Sequence, residues 1–240
     1  RAERERLKGV LKFAAAFFQQ QLQAETTEGA KARAYLEERD FGPETVARFQ
    51  LGYAPDQWSA LMDHAKKHQV ATADLEALGL IARSENTGRT YDRFRGRIIF
   101  PLHNDSGEIV GFAGRILNKE AKAAKYINSP ESLLYDKSSL LYGIYFGKLA
   151  IRDAQKVFLT EGYTDVIRLH EAGIRNVAAS SGTSFTQQQT RLLKRFAKEV
   201  ILLFDGDDAG LKAAERALET LLPEGLEAKV MLLPPEHDPD

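Results

Sequence analysis

The sequence predicts an α/β protein, α+β overall, with two domains that differ in their local patterns. Residues 1–153 read as a mixed helical and antiparallel-sheet subdomain, because amphipathic helices come first and short β-type runs broken by turns follow. Residues 154–240 alternate short apolar runs with helical patterns, which is typical of a mostly parallel sheet with flanking helices. With 240 residues, 43% of them hydrophobic, the chain can bury a core in one or two domains.

The N-terminal part begins with predicted helices. Apolar residues recur at helical spacing from about Leu7 to Leu22, which predicts an amphipathic helix whose apolar stripe packs into the core. A second helix is predicted through residues 30–36. A third begins at Pro43, a proline in the favoured first-turn position, and is expected to end at Gly52. The helical pattern then returns over residues 58–80.

The pattern changes to strands over residues 91–117. Two apolar runs at residues 98–102 and 109–112 flank the turn-forming residues 104–107, which predicts a β-hairpin. Residues 126–140 are expected to form a loop.

The C-terminal part predicts four strands and three helices. The strands are residues 157–160, 176–179, 200–204 and 228–233, and the helices are residues 165–172, 186–198 and 209–222. Ligands of such sheets bind beyond the carboxyl ends of the strands, where the turn at residues 180–183 is also expected to lie.

Acidic residues follow three of these predicted strands. They are Glu161 with Asp165, Asp205 with Asp207, and Asp238 with Asp240. Carboxylate oxygens hold Mg²⁺, usually through one or two carboxylates together with water and substrate phosphates. Like charges gathered at one sheet edge repel each other unless a cation or substrate offsets them. The pattern therefore favours a divalent-metal site for phosphoryl chemistry.

Plainer interpretations of the same residues stay open. Asp205, Asp207 and Asp208 could simply form a solvated turn that caps the following helix, and Asp165 could start a helix while Glu161 faces water. A calcium-binding EF-hand loop is excluded, because its fifth and twelfth positions would be Ala209 and Arg216 and a strand precedes it.

The composition excludes several classes of protein. The net charge is −1, so any nucleic-acid surface must be a local patch. No cysteine is present, which excludes disulfides and thiolate metal sites, and zinc is not expected. No apolar run approaches the roughly 18 residues of a spanning helix and no secretory signal is evident, so we expect a cytoplasmic protein without a membrane partner. The sequence starts at Arg1 and ends within an acidic group, so we expect a fragment whose C-terminal domain is truncated.

Basic residues cluster before the parallel sheet. Arg93, Arg95 and Arg97 alternate, which predicts three guanidinium groups on one face of a strand with Phe94 on the other. They could be a solvated sheet face. Beside a metal site, the same cations could bind a template backbone or an incoming triphosphate.

Both sets of residues resemble a known family. The strings at residues 161–166 (EGYTDV), 205–210 (DGDDAG) and 238–240 (DPD) are similar to the TOPRIM domain, a Rossmann-like domain, in the version found in bacterial DNA primases of the DnaG family. The basic strings between residues 91 and 137 and the string RFQLGYAP at residues 48–55 resemble the same family, so the likeness covers nearly the whole chain.

The resemblance implies roles for particular residues. It implies that Asp205 and Asp207 are catalytic and that a Mg²⁺ site, which Mn²⁺ could also fill, is formed by Glu161, Asp165, Asp205, Asp207, Asp238 and Asp240. Because Glu161 directly follows the first strand of the sheet, we expect it to be catalytic too, helping to activate an attacking 3′-hydroxyl directly or as a metal ligand. It implies nucleotide or DNA contacts by Arg93, Arg95, Arg115, Lys125, Asn128 and Lys137.

The resemblance also implies an activity, which is DNA-directed synthesis of short RNA primers for replication. The expected partners are single-stranded DNA, ribonucleoside triphosphates and the RNA primer–DNA hybrid, and in the full-length protein the replicative helicase and single-strand-binding protein. Two alternatives remain at this point. One is a TOPRIM nuclease or topoisomerase that cleaves DNA, and the other is a non-catalytic nucleic-acid-binding module.

Overall fold

The structure is a computed structural model that describes residues 1–118, 122–180 and 184–232. Its described residues form two compact units. The N-terminal unit contains residues 1–102 and 108–136, and the C-terminal unit contains residues 103–107 and the described residues beyond 136. The domain boundary predicted between residues 153 and 154 stays a prediction about functional domains; the compact units change near residue 137.

Five helices belong to the N-terminal unit. They are α1 (Ala2–Gln23), α2 (Thr27–Glu38), α3 (Pro43–Arg48), α4 (Ala60–Lys67) and α5 (Thr72–Ala77). The predicted apolar stripe of α1 is buried along its whole length, from Leu7 to Leu22. The helical stretch predicted for residues 58–80 is two helices, because Gln69 adopts a left-handed conformation (φ 59°) that ends α4.

The strands of this unit are β1 (Gly52–Ala54), β2 (Ile81–Arg83), β3 (Thr90–Asp92), β4 (Arg97–His103), β5 (Ile109–Ile116) and β6 (Tyr126–Asn128). They form a four-stranded sheet in the order β1-β4-β5-β6 and a separate two-stranded β2-β3 ribbon. The predicted hairpin is the β4-β5 pair.

Two local predictions for this unit are wrong. The third helix ends before Gly52, because Gln50 adopts the left-handed conformation (φ 56°) that terminates it. Gly52 instead lies in β1, where an added Cβ would come within 2.6 Å of the Phe18 Cβ atom of α1. The loop predicted from residue 126 begins with strand β6, whose pairing with β5 is a distant contact that local sequence does not reveal.

The C-terminal unit has the predicted strand–helix alternation. Its elements are α6 (Ile144–Ala154), β7 (Lys156–Thr160), α7 (Tyr163–Glu171), β8 (Val177–Ala179), α8 (Gln187–Lys194), β9 (Glu199–Phe204), α9 (Asp208–Leu221), a 3₁₀ turn (Leu222–Glu224) and β10 (Glu227–Leu232). The sheet order is β10-β9-β7-β8, and the three neighbouring pairs of strands, β10-β9, β9-β7 and β7-β8, are parallel. The fold class is therefore confirmed. Among the described residues of this unit, α6 is the α-helix that the pattern did not predict.

A buried carboxylate links two elements of the N-terminal unit. Asp92, at the end of β3, is only 3% exposed, and its side chain accepts hydrogen bonds from the backbone N–H groups of Leu61 (2.7 Å) and Met62 (3.2 Å). These are the second and third residues of α4, whose own N-cap residue, Ser59, forms no side-chain cap. Asp92 thus caps α4 from a distant strand. Burial raises the pKa of Asp92 from 3.8 to about 6, although the two backbone hydrogen bonds act in the opposite direction.

Replacing this carboxylate should destabilise the fold. Asp92→Ala leaves the N–H groups at the start of α4 without their partner and should lower the free energy of unfolding by about 1–3 kcal/mol. Asp92→Asn keeps one acceptor oxygen and should cost less. Because the pKa of Asp92 in the fold lies above its ordinary value, the folded chain binds this proton more tightly, so the wild-type protein should lose stability relative to Asp92→Asn as pH rises from 3.8 to about 6. Urea unfolding across that pH range measures both effects, and a wild-type-to-Asn difference that is constant with pH would contradict the second.

Candidate active site

Two of the predicted carboxylates lie at the same edge of the parallel sheet. Glu161 directly follows β7 and Asp205 directly follows β9, and these strands are parallel neighbours with Leu159 opposite Leu202. Their carboxyl ends therefore meet at one edge of the sheet. Glu161 is exposed and Asp205 is half-buried, so both lie within reach of solvent.

Asp207 has a structural role at the start of α9. Its backbone is extended (φ −88°, ψ 173°), and its Oδ1 atom accepts a hydrogen bond of 2.7 Å from the backbone N–H of Gly210. Asp207 is thus the N-cap of α9, and Asp208 is the first residue of the helix. The capping interpretation that the sequence left open applies to Asp207, and it uses one of the two carboxylate oxygens.

Gly210 allows α9 to begin close to the end of β9. A Cβ atom at this position would lie 2.1 Å from the carbonyl oxygen of Asp205, a distance that no side chain tolerates. The glycine therefore lets the helix N-terminus and the end of the strand share one narrow turn. The positions of Asp205 and Asp207 both depend on that turn.

Asp165 shapes the turn that carries Glu161. It lies in the first turn of α7, is only 7% exposed, and its Oδ2 atom accepts a 2.8 Å hydrogen bond from the backbone N–H of Gly162. The bond fixes the backbone immediately after Glu161. The structure therefore gives Asp165 a positioning contact, and its role as a metal ligand stays a prediction.

The donor set fits a hard divalent cation. The acidic side chains at this edge offer only oxygen ligands, which Mg²⁺ and Mn²⁺ prefer, and Mg²⁺ commonly takes only one or two carboxylates with water and phosphate oxygens. Across residues 1–118, 122–180 and 184–232, no group of three or more His, Asp or Glu side chains is arranged to hold a metal. Asp238, Asp240 and residues 181–183 of the predicted turn lie outside the described residues.

The prediction of three arginines on one strand face is wrong. Residues 93–96 lie between β3 and β4, and only Arg97 is in a strand. Arg97 is buried (6% exposed), and its Nη1 atom donates to the carbonyl oxygens of Gly114 (3.1 Å) and Ala124 (3.0 Å). Its guanidinium therefore ties the sheet together. Arg93, Arg95 and Arg97 nevertheless line one cavity of about 800 Å³ in the N-terminal unit.

An exposed aromatic residue that the sequence did not single out lies beside this cavity. The Arg95 guanidinium stacks 3.6 Å from the ring centroid of Trp58, and Tyr91 meets the Trp58 ring edge-on at 5.8 Å. Trp58, the only tryptophan of the chain, is 65% exposed. A large ring held open to solvent by a stacked arginine is typical of a surface that binds unpaired bases. Its signal in the sequence was this single tryptophan.

Arg115 occupies a different environment from the cavity arginines. It is buried (8% exposed) with its guanidinium 5.1 Å from the ring centroid of Tyr35 and 5.7 Å from that of Tyr126. Its Nη1 atom and the Nε atom of Arg93 are buried without a hydrogen-bond partner in the part of the chain that the structure describes. Buried guanidinium N–H groups of this kind favour an anionic partner.

The remaining predicted contacts are distributed over both units. Lys125 is exposed immediately before β6, and Asn128 is half-buried within β6, opposite Ala113 of β5. Lys137 belongs to the C-terminal unit.

No helix among the described residues is long and apolar enough to cross a membrane.

Comparisons with known proteins identify both parts of the chain. Residues 158–240 match the family described as Toprim-like, so the parallel sheet with acidic residues at its carboxyl edge is a Toprim-type domain. Residues 17–148 match the family described as DNA primase catalytic core, N-terminal domain. The chain belongs to the DNA primase family of the DnaG type. Membership in the Toprim and primase families implies the use of a divalent metal.

Individual relatives agree with this assignment. The DNA primase of Halalkalibacterium halodurans is 43% identical over 238 residues, which are 99% of this chain and 39% of the relative. The RNA polymerase domain of Mycobacterium tuberculosis primase DnaG superposes with a TM-score of 0.89 at 37% identity, covering 98% of this chain and 78% of the other. A DnaG primase catalytic domain bound to single-stranded DNA gives the same TM-score of 0.89 and 37% identity, covering 100% of this chain and 76% of the other. The chain spans about two fifths of the length of the first of these relatives.

Two substitutions at Asp207 separate its capping role from metal binding. Asp207→Asn keeps a side-chain oxygen that can accept from Gly210 and should unfold close to the wild-type temperature, whereas Asp207→Ala should lose about 1 kcal/mol of stability. If Asp207 is also a metal ligand, both variants should bind Mn²⁺ more weakly than the wild-type protein. Thermal unfolding in EDTA and a Mn²⁺ titration measure the two roles. If Asp207→Asn binds Mn²⁺ with wild-type affinity, Asp207 is not a metal ligand and its role is to cap α9.

Proposed function

We propose that this chain is the RNA-polymerase core of a bacterial primase, which copies single-stranded DNA into a short RNA primer. It joins ribonucleoside triphosphates and releases pyrophosphate. The observation that carries the proposal is that one chain contains both a primase-type N-terminal domain, matched over residues 17–148, and a Toprim-type sheet with an acidic edge. A Toprim-type sheet alone would suit a nuclease or topoisomerase equally well.

The acidic residues of the sheet edge have distinct proposed roles. Asp205 and Asp207, with Asp238 and Asp240, would hold Mg²⁺, or Mn²⁺ in its place, and the bound ion would supply charge neutralisation for the triphosphate. Glu161 helps to activate the attacking 3′-hydroxyl, either directly or as a metal ligand; its exposed position directly after β7 supports this role. Asp165, through its bond to the Gly162 N–H, keeps the Glu161 turn in place and completes the set of proposed metal ligands.

The cavity arginines and Trp58 are proposed to bind the template. Arg93 and Arg95 contact backbone phosphates, and the Trp58 ring stacks on an unpaired base. The exposure of Trp58 and its stacking on Arg95 support this arrangement. A relative solved with single-stranded DNA supports the same class of ligand.

Four further residues are proposed to contact the nucleotide or the nucleic acid. They are Arg115, Lys125, Asn128 and Lys137. Arg115 has the strongest structural support, because its ring contacts with Tyr35 and Tyr126 fix the guanidinium while its Nη1 atom has no hydrogen-bond partner among the described residues. The proposed wider setting is the bacterial cytoplasm at the replication fork, where the product is an RNA primer–DNA hybrid. The longer protein would there work with the replicative helicase and single-strand-binding protein.

Incubation with labelled single-stranded DNA, ribonucleoside triphosphates and Mg²⁺ tests the proposed reaction. We expect new RNA to be synthesised on the labelled template, which remains at full length. Glu161→Gln should lower the rate of synthesis while leaving template affinity unchanged, because only the activation of the attacking 3′-hydroxyl is impaired. Shortened DNA in place of new RNA would indicate a Toprim nuclease. Undiminished synthesis by Glu161→Gln at saturating Mg²⁺ would remove Glu161 from the mechanism.

The template surface makes a separate prediction about salt dependence. Arg95→Ala should weaken binding of single-stranded DNA and reduce the slope of log affinity against log salt by about one phosphate contact, since a counterion is no longer released. Trp58→Leu should also weaken binding, but with an unchanged slope, because stacking carries no charge. Fluorescence anisotropy over a salt series measures both quantities.

The matched control for this experiment is Arg4→Ala, which removes an exposed arginine of α1 that does not line the cavity. Its affinity and slope should equal those of the wild-type protein. A loss of slope in Trp58→Leu, or an unchanged slope in Arg95→Ala, would contradict the assigned contacts.

A further inference from the structure

Two histidines lie at the C-terminal end of α4, His64 within the helix and His68 as its C-cap residue. They are four residues apart, so the His68 side chain follows the His64 side chain one turn further along the same side of the helix end. Their ring centroids are 4.6 Å apart, and the ring planes are tilted by 52°. The two imidazoles are therefore close enough to bind the same metal ion.

Helix α1 fixes the orientation of this pair. The His64 ring stacks on Phe13 with centroids 5.0 Å apart and planes inclined by 21°, and it lies 4.8 Å from the ring of Phe17. The His68 ring meets Phe13 edge-on at 5.7 Å. His64 is half-buried and His68 is exposed, so the pair is ordered by aromatic packing and still open to solvent. Ordering of the ligands before binding reduces the entropy lost when a metal binds.

We propose that His64 and His68 form a second metal site, which takes a borderline transition metal and prefers Cu²⁺ to Ni²⁺ or Zn²⁺. Two histidines at positions i and i+4 of a helix bind metal through one nitrogen of each ring. Imidazole suits these metals, and divalent affinities for nitrogen ligands rise from Ni²⁺ to Cu²⁺ and fall again at Zn²⁺. The ring faces packed on phenylalanine do not obstruct binding, because imidazole nitrogens bind metals in the plane of the ring.

The coordination of this site is open. No third His, Asp or Glu joins the pair within the described ranges 1–118, 122–180 and 184–232, so water fills the remaining positions. Burial, together with the charges of His68 and Lys67, lowers the pKa of His64, which favours the neutral imidazole that binds metals. The site differs in chemistry from the acidic sheet edge, because oxygen ligands select hard cations such as Mg²⁺ and imidazole does not.

The other histidines provide the controls. The chain has five, and of the remaining three His103 and His170 are each only 5% exposed. His237 lies outside the described residues. His237→Gln is therefore the matched control, since it removes one imidazole of the chain and leaves the α4 pair intact.

The experiment titrates the 240-residue chain with Cu²⁺ alone and records calorimetry and electron paramagnetic resonance spectra. The wild-type protein and His237→Gln should show one shared binding event with hyperfine splitting from two imidazole nitrogens. His68→Gln should lose the two-nitrogen signal and bind Cu²⁺ more weakly, with an unchanged circular dichroism spectrum in EDTA because His68 is exposed. His64→Gln should behave in the same way. Because His64 packs on the phenylalanines, His68→Gln decides the outcome if His64→Gln unfolds.

Three results would overturn the proposal. They are wild-type Cu²⁺ binding by His68→Gln, loss of the two-nitrogen signal in His237→Gln, and a wild-type spectrum without nitrogen splitting. None of these measurements depends on primer synthesis, so the metal site and the proposed polymerase activity are tested independently of each other.

Discussion

The parallel pairing of β7 with β9 determines where the acidic residues of this protein lie. Because the two strands run in the same direction and are neighbours, the residues that follow them, Glu161 and Asp205, reach the same sheet edge. Negative charges gathered at one edge raise the free energy of the fold unless a cation or a cationic ligand offsets them. The surrounding turns are built to keep this arrangement, since Gly210 admits the start of α9 beside Asp205 and Asp165 bonds to the backbone after Glu161.

In the N-terminal unit, some charged groups are buried and hold the fold together, and others line a cavity. Two of its buried ionic groups have structural partners: Asp92 caps α4, and Arg97 donates to carbonyl oxygens of the sheet. The segment between β3 and β4 is anchored by Phe94, which is 2% exposed and packs edge-on against Phe18 and Phe112. That anchor leaves the flanking Arg93 and Arg95 on the cavity wall. A rigid scaffold therefore presents guanidinium groups from an irregular segment, which is how binding surfaces are commonly built.

The sequence predicted the parallel sheet well because every buried strand there is a short apolar run and the helices α7, α8 and α9 each show helical periodicity. Predicted and observed bounds of β9 and α9 differ by one residue. Strand β6 was not predicted because its pairing with β5 is non-local. The alternation of Arg93, Arg95 and Arg97 gave a wrong prediction because a segment of irregular backbone can carry the same residue pattern as a strand. The acidic positions could be predicted from their place after strands. The Trp58 platform could not, because its stacking on Arg95 is visible only in three dimensions.

A crystal of the protein soaked with Mn²⁺ and a ribonucleoside triphosphate would show whether the acidic sheet edge is a phosphoryl-transfer site. Anomalous scattering from manganese locates the cation without reference to activity. We expect a peak about 2 Å from carboxylate oxygens of Asp205 and Asp207 that also touches the phosphates of the nucleotide. Absence of any peak at the ends of β7 and β9, with nucleotide bound and Asp207 bonded only to the Gly210 N–H, would contradict the proposed site.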